Sequence, residues 1–216
     1  MKKSSVPCFI LIIAATILGC GGSERKGRKN APKSPLSLHV GDEKYLQIDT
    51  NASVVTWKGS SLNGLNTQSG YVHISKGELM VNNGQPVGGT VEIDMNTIAD
   101  KKHGRDNKLV NHLKDPDFFE VEKYPFATIV LTEVAQLSDE RKNVTGNLTI
   151  KGITHQVNFP AKIVSKDSII EANARLVIDR TKWNVRYKSA KFYKLLANQT
   201  MSDSIEFQMK ILTVRK

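Results

Sequence analysis

From residue 45 onward, apolar and polar residues alternate one by one, and this period of two constrains the fold more than any other feature of the chain. The clearest stretch runs from Val144 to Ile150 and, after Gly152, continues over residues 153–163. Such alternation indicates strands with one buried face, and a glycine between two of them indicates a tight antiparallel turn. The same pattern recurs in residues 52–60, 72–74, 91–95, 170–178 and 205–211.

Together with the long apolar-rich run that follows Pro125, these stretches amount to about eight strands, most of them joined by short turns. An open antiparallel sheet of that size would expose two edges, and closing it into a barrel removes them. We therefore predict an all-β fold, an eight-stranded antiparallel barrel. We also expect Gly88–Gly89 to form the turn before residues 91–95. The interior of such a barrel is either just filled by side chains or able to hold one small ligand, and the strand pattern does not choose between the two.

Alternation alone does not say which face of the sheet points outward. In a transmembrane barrel the apolar face meets lipid and the polar face lines the lumen. The predicted strands, however, lack aromatic girdles at both ends, and long loops do not alternate with short turns. We therefore favour a barrel whose apolar face points inward.

Residues 106–125 interrupt the strand pattern. Leu109 and Leu113 lie four residues apart, which gives a short helix one apolar face, and Asp115–Pro116 ends that helix. The paired aromatic Phe118–Phe119 follows immediately. We expect this short helical segment to close one end of the barrel, with the two phenylalanines at the lip of the opening.

A basic start, a short apolar run and several small residues follow one another at the amino terminus. The apolar run, residues 8–18, is shorter than the roughly 20 residues that a helix needs to span a bilayer, so it is typical of a signal peptide. Residues 17–20, Ile-Leu-Gly-Cys, resemble a bacterial lipobox, whose cysteine is lipidated after cleavage. We expect a lipoprotein signal peptide at residues 1–19 and a lipidated Cys20. The alternative is an ordinary signal peptide and a free Cys20.

The chain carries 31 Lys and Arg against 21 Asp and Glu, a formal charge of +10. Loss of Lys2 and Lys3 with the signal peptide would leave 29 basic residues and a charge of +8. Such a charge favours anionic partners, whether phospholipid headgroups, phosphate-bearing ligands or nucleic acid. Residues 20–43 have linker composition, so we expect a basic flexible tether before a barrel domain at residues 44–216. The tether either lies close to an anionic bilayer or is a solvated linker without membrane preference.

Motifs for catalysis, metal binding and nucleic-acid recognition are missing from the sequence. The five histidines form no HExxH pair, and neither GxSxG nor a phosphate-cradling glycine loop occurs. The two cysteines, Cys8 and Cys20, both belong to the amino-terminal signal, so we expect no disulfide and no cysteine metal site in the barrel. Basic and aromatic residues do not interleave on one sheet face. We therefore expect no enzyme, no metal site and no nucleic-acid partner.

Several motifs follow one another along the chain, and together they are too long to match a family pattern by chance. They are Gly-Gly-Thr-Val-Glu-Ile-Asp-Met at residues 88–95, His-Leu at 112–113, Asp-Phe-Phe at 117–119, Tyr-Pro at 124–125, Val-Thr-Gly-Asn-Leu-Thr-Ile-Lys-Gly-Ile-Thr at 144–154 and Asp-Arg-Thr-Lys-Trp-Asn-Val at 179–185. From about residue 45 to residue 216 the chain thereby resembles the YceI family. The resemblance implies a lipocalin-like barrel, exported to the periplasm, whose elongated apolar cavity binds polyisoprenoids or other long amphiphiles.

A long isoprenoid tail requires a dry tube of aliphatic and aromatic side chains, with polar groups at the mouth for the head. Each buried methylene contributes about 0.8 kcal/mol, so a long tail binds without specific polar contacts. The candidate lipid-binding residues are Trp57, Val72, Ile93, Met95, Phe118, Phe119, Phe126, Leu148, Phe159, Leu176, Ile178 and Phe207. The candidate head-group residues, if their loops meet at one mouth, are Arg105, His112, Arg180, Lys182 and Arg186.

Together these features predict a protein of the bacterial cell envelope, lipid-anchored to a membrane on the periplasmic side, that carries or stores a long-chain isoprenoid or similar fatty amphiphile. No cofactor is expected, although a polyisoprenoid or quinone-like lipid would occupy the cavity. The alternative is a structural or stress-linked envelope barrel with a filled core and no ligand.

Overall fold

Nine antiparallel strands dominate the computed structural model, which describes Ser34, residues 36–39, Asp42 and residues 44–214. The expected signal peptide, Cys20 and most of the expected tether lie outside these described residues. The elements are β1 (Tyr45–Gln47), β2 (Val54–Ser60), β3 (Thr67–Asn82), β4 (Gln85–Asp100), α1 (Lys108–Lys114), β5 (Phe126–Gln136), β6 (Arg141–Ile150), β7 (Ile153–Lys166), β8 (Ile169–Asp179), a single 3₁₀ turn (Arg180–Trp183) and β9 (Ser204–Leu212).

The strands close into a barrel. Each strand from β4 to β9 pairs with its sequence neighbour, β9 pairs with β2, β2 with β3, and β3 returns to β4. The short β1 pairs with β3 beyond the end of β2, so β1 and β2 are two segments of one barrel strand. The side chain of Asp49 separates them by accepting hydrogen bonds from the backbone of Asn51 and Ala52. The predicted eight-stranded antiparallel barrel with one short helix is thus confirmed.

The apolar face of the alternation points into the barrel. In β6, Val144, Leu148 and Ile150 are buried, whereas the intervening Thr145 and Asn147 are only partly covered. Burying one face against the facing strands removes apolar surface from water, which is the main favourable term in folding.

The turn between β3 and β4 corrects one expectation. It lies at Asn83–Gly84, whose φ angles are 49° and 73°, and not at Gly88–Gly89, which lie inside β4. Asn-Gly is the pair that supplies two left-handed residues for a tight hairpin, so this signal outweighs the glycine pair. Gly89 instead serves close packing, because a Cβ there would lie 2.5 Å from the carbonyl oxygen of Glu78.

The two ends of the barrel differ in their connections. The end defined by the tight turns 83–84, 137–140 and 167–168 is called the lower end. The opposite, upper end carries the β2–β3 turn, residues 61–66, and two long connections, residues 101–125 and 180–203. No helix within the described ranges is long and apolar enough to span a membrane.

A seam interrupts the wall near the upper end. β7 and β8 pair only between Ala161↔Ala174 and Lys166↔Ile169, so the upper parts of these strands do not pair with each other. The 3₁₀ turn fills this position: Trp183 is buried, and the His155 ring donates from Nε2 to the carbonyl of Lys182 at 3.0 Å. The side chain of Trp183, and not a ladder of backbone hydrogen bonds, therefore closes the wall between the upper parts of β7 and β8.

The end of the segment expected to be a flexible tether lies against the outer face of β3 and β4. Glu92, which is fully buried, accepts hydrogen bonds from the Ser34 hydroxyl at 2.6 Å and the Leu36 amide at 3.3 Å. Glu78, also buried, accepts one from the His39 amide at 2.8 Å. Two buried carboxylates thus hold this short piece of chain on the barrel.

We expect Gly70→Ala to lower the free energy of unfolding by about 3 kcal/mol, the upper part of the range for overpacking. A methyl group at residue 70 would lie 1.8 Å from the carbonyl oxygen of Ala99 and 2.5 Å from Cζ2 of Trp57. Gly59→Ala is the matched control, because a methyl group there meets no atom of the described residues within 4 Å. Urea unfolding monitored by circular dichroism compares the two; equal midpoints would contradict the expectation.

Candidate ligand-binding cavity

A cavity of about 440 Å³ occupies the upper half of the barrel. This volume lies within the range of small-molecule sites, roughly 300–1,000 Å³. Its deep walls come from inward-facing apolar residues of β2, β3, β4, β5, β6, β8 and β9. They are Val55, Trp57, Val72, Ile93, Met95, Ala127, Ile129, Leu148, Ile150, Leu176, Ile205, Phe207 and Met209.

Nine of the twelve candidate lipid-binding residues line this cavity. They are Trp57, Val72, Ile93, Met95, Phe118, Phe119, Leu148, Leu176 and Phe207. The structure thus brings them together on one surface, and their contact with lipid stays a prediction.

Phe126, Phe159 and Ile178 do not line the cavity, which corrects their placement. In β5 the cavity is lined by Ala127 and Ile129, so Phe126 takes the opposite register and faces away. Phe159 pairs with Val144, and both are buried in the core outside the cavity. Ile178 also packs into the hydrophobic core.

Side chains fill the lower half of the barrel. Val144, Phe159, Ala161 and Ile163 are all buried, and none of them lines the cavity. The two possibilities that the strand pattern left open therefore apply to different halves of the same barrel: the lower half is packed and the upper half is hollow.

Helix α1 covers part of the upper end. Its N-cap residue Asn107 accepts a hydrogen bond from the Val110 amide at 3.1 Å, which satisfies one free donor of the first turn. Val110 and Leu113 are buried, while Leu109 and Leu113 line the cavity. The spacing of two leucines four residues apart thus places an apolar face over the hollow.

An aromatic cluster joins the two long connections of the upper end. The His112 ring lies edge-on to Phe118 and Tyr187, with centroid distances of 5.0 Å and 4.5 Å, and Phe118 lies 5.1 Å from Tyr187. All three residues line the cavity. Sequence reasoning missed Tyr187, because the irregular connection around it has no periodicity.

Two hydrogen bonds from buried side chains fasten these connections to the barrel. Lys151, in the tight turn after β6, donates from Nζ to the carbonyl of Pro116 at 3.0 Å. Trp183 donates from Nε1 to the carbonyl of Leu148 at 3.1 Å. Each bond pairs a donor that burial would otherwise leave unsatisfied, so it fixes the position of the connection.

Arg180 lines the cavity, but its guanidinium organises the chain around it. It donates to the carbonyls of Ser202 at 2.9 Å and Val185 at 2.7 Å, and lies 3.5 Å from Asp203. Burial lowers the pKa of Arg180, while the carboxylates of Asp203 and Asp179 oppose that shift. Arg180 therefore holds residues 180–203 together.

The other head-group candidates separate into two sets. His112 lines the cavity, and its Nε2 lies 3.7 Å from the carboxylate of Asp117. Arg105, Lys182 and Arg186 are exposed and do not line it. Their separation from the cavity follows from the loops themselves, which turn these side chains to the outer surface.

The mouth of the cavity lies between the β2–β3 turn and residues 180–203, which we call the late connection. Its exposed lining residues are Asn66, Gln68, Lys188, Asn198 and Gln199. Phe118 is buried and Phe119 is half-buried, so the expected lip at these phenylalanines lies inside the opening instead. Polar groups at the mouth and apolar groups below it suit an amphiphile that enters tail first.

Within the described residues, no group of three or more His, Cys, Asp or Glu side chains is arranged to hold a metal ion.

A family model described as the YceI-like domain matches residues 46–212. The chain is 32% identical over 108 residues to a UPF0312 protein of Pseudomonas putida, an alignment that covers 50% of this chain and 54% of that protein. It is 35% identical over 82 residues to Protein YceI of Escherichia coli O157:H7, covering 38% and 41%. The chain thus spans about half, or less, of the length of the curated relatives it matches.

Two solved structures share the fold. BcnA of Burkholderia cenocepacia superposes with a TM-score of 0.64 at 20% identity, covering 77% of this chain and 99% of that one. A polyisoprenoid binding domain from Saccharophagus degradans, implicated in plant cell wall breakdown, superposes with a TM-score of 0.60 at 13% identity, covering 80% and 99%. At these identities the likeness establishes the architecture alone.

We expect Arg180→Gln to lower the free energy of unfolding by about 3 kcal/mol, because removing one partner leaves Asp203 and several carbonyls of the late connection uncompensated. Lys182→Gln, two residues away, changes an exposed side chain and should leave the urea midpoint unchanged. Urea unfolding of the two variants measures the difference. If Arg180 acted only on a ligand head group, both variants would unfold like the native protein.

Proposed function

The chain belongs to the YceI-like domain family, and from this premise we propose that its barrel binds a long-chain isoprenoid or similar amphiphilic lipid, as a carrier or store. The observation that carries the proposal is the cavity of about 440 Å³ with apolar walls and an exposed polar mouth. The fold shared with a polyisoprenoid binding domain supports it. The proposed activity is binding and not catalysis.

The cavity walls favour a hydrocarbon tail over a polar ligand. Each methylene transferred from water into such a wall contributes about 0.8 kcal/mol. The polar lining residues Gln68, Lys188 and Asn198 are exposed at the mouth, where they can remain solvated or meet the head of the lipid. The tail therefore lies inside and the head lies at the mouth.

The indole N–H of Trp57, one of several polar groups in the cavity lining, narrows the proposed ligand class. Trp57 lines the cavity, and its Nε1 is buried without a hydrogen-bond partner among the described residues. Leaving a buried donor unpaired costs about 1–3 kcal/mol. Nε1 is covered even from the empty cavity, so we infer that the indole turns on binding and donates to a ligand oxygen such as a quinone carbonyl. This inference favours a quinone-like isoprenoid over a pure hydrocarbon tail.

We further propose that the protein is lipid-anchored at Cys20 and faces the periplasm. The support is the sequence order of a basic start, a short apolar run and the lipobox-like residues 17–20. Metabolic labelling of bacterial cells with an alkyne fatty acid tests the anchor: native protein should take up the label, and Cys20→Ser should not. Equal labelling of both would remove the anchor from the proposal.

We expect purified protein to release an isoprenoid on extraction with organic solvent, detectable by mass spectrometry, and to lose it on Ala127→Phe. Ala127 lines the cavity, and a ring that excludes as few as about two methylene groups would weaken binding about tenfold. Thr128→Phe, one residue along β5 and on the opposite face, is the matched control. An empty extract, with no uptake of added isoprenoid by native protein, would favour a structural barrel without ligand.

Trp57→Phe should weaken binding of a quinone-bearing isoprenoid about fivefold, the value of one hydrogen bond near 1 kcal/mol. The same variant should bind an isoprenoid hydrocarbon of equal chain length as tightly as native protein does, because phenylalanine retains most of the apolar area of the indole. Titration of both ligands, followed by fluorescence, measures the two affinities. A loss of equal size for both ligands would mean that Trp57 contributes only packing.

A further inference from the structure

Two loops beside the cavity mouth expose an unusual amount of apolar surface. Leu62 and Leu65 of the β2–β3 turn are 55% and 82% exposed, and Leu196 of the late connection is 68% exposed. Three further side chains of that connection are also well exposed. Together these residues form what we call the mouth patch: Leu62, Leu65, Phe192, Tyr193, Leu195 and Leu196.

Hydrogen bonds hold the two loops side by side. The Leu62 amide donates to the carbonyl of Thr200 at 2.8 Å, and the Thr200 hydroxyl donates to the carbonyl of Leu196 at 2.9 Å. Asn66 and Asn198, from the same two loops, line the opening of the cavity. The mouth patch therefore flanks the entrance to the cavity and is part of an ordered surface.

Positive charge surrounds the mouth patch. Residues 180–203 contain six Lys or Arg, of which only Arg180 is buried, and a single acidic residue, Asp203. The guanidinium of Arg186 lies 4.6 Å from the centroid of the Phe192 ring, and Nζ of Lys188 lies 5.3 Å from that of Tyr187. Lys191 differs, because Asp179 holds it at 2.5 Å. Exposed leucines and aromatics with flanking cations are the composition that binds anionic membrane surfaces.

We propose that the mouth patch docks the barrel on an anionic bilayer, with the leucines in the headgroup boundary and the cations at the lipid phosphates. This inference rests on the proposed function, since it concerns how a lipid reaches the cavity. When the mouth lies on the bilayer, an apolar tail moves directly from the membrane into the cavity and is never exposed to water. Charge complementarity and the position around the opening favour a bilayer over a protein partner. The dock is separate from any anchor at Cys20, since it orients the barrel with its mouth toward the membrane.

The lower end supplies a matched control. Leu137, in the β5–β6 turn, is 66% exposed, nearly the same as Leu196, and Arg141 and Lys162 line the same surface groove. The surroundings of Leu137 differ from those of Leu196, because they contain no apolar cluster that flanks a cavity mouth. Position 196 should therefore contact a bilayer, and position 137 should not.

The experiment uses the full chain with Cys8→Ser and Cys20→Ser, to which Leu196→Cys or Leu137→Cys is added for labelling with an environment-sensitive dye. Vesicles of phosphatidylcholine with phosphatidylglycerol should shift the emission of the dye at position 196 to the blue, and leave the dye at 137 unchanged. Phosphatidylcholine alone should give a much smaller shift. No shift at 196, an equal shift at both positions, or a response at 196 only to lipid-free envelope protein would overturn the dock.

A second measurement separates this inference from the proposed function. Leu196→Glu should slow transfer of a quinone-bearing isoprenoid from these vesicles about tenfold, because it removes one buried leucine from the docked state, and Leu137→Glu should not. Affinity for detergent-solubilised isoprenoid should stay unchanged in both variants. Equal rates of ligand uptake by the Leu196→Glu and Leu137→Glu variants would contradict the membrane dock but not the proposed lipid binding. A blue shift of the dye at position 196 in a protein that binds no isoprenoid would contradict the proposed lipid binding but not the membrane dock.

Discussion

Backbone hydrogen bonds between β3 and β4 turn the sheet into a closed barrel, because β3 also pairs with β2 on its other edge. Both strands have 16 residues, the longest in the described part of the chain. Without this pairing the sheet would leave two open edges and an apolar face in water. Closure of the sheet creates the interior of the barrel, and the alternation of side chains along each strand determines which residues point into it.

The contents of the barrel change along its axis. Toward the lower end, Phe159 and Ile163 fill the space between the strands. Toward the upper end, small inward residues such as Gly59 and Ala127 leave room, and the chain covers that room with α1 and the late connection. The buried guanidinium of Arg180 and the indole of Trp183 hold the late connection in place. The hollow costs dispersion contacts, and the donors of Arg180 and Trp183 that hold its cover in place are paired with backbone carbonyls.

Much of the fold could be predicted because strand alternation is a strong, local signal. The closed barrel and the inward side of Trp57 or Leu148 follow from it directly. Phe126 is wrongly predicted to line the cavity because a shift of one residue reverses the face of a strand, and the sequence around Phe126 does not fix which of Phe126 and Ala127 points inward. The sequence predicts Arg180 as a head-group residue at the mouth, because it does not reveal the carbonyls of Ser202 and Val185 that the buried guanidinium contacts. Tyr187 lies in an irregular connection whose shape depends on contacts distant in sequence.

The seam between β7 and β8 has a mechanical consequence. Where two strands share a ladder, widening the wall breaks backbone hydrogen bonds in series. Above Ala161 and Ala174 that ladder is replaced by Trp183, one hydrogen bond to Leu148 and one from His155. The barrel therefore has a stiff lower half and a compliant panel beside its hollow upper half. Under the proposed lipid binding, displacement of this panel would make room for ligands of different bulk, while the packed core and the closed ring of strands below it would keep their geometry.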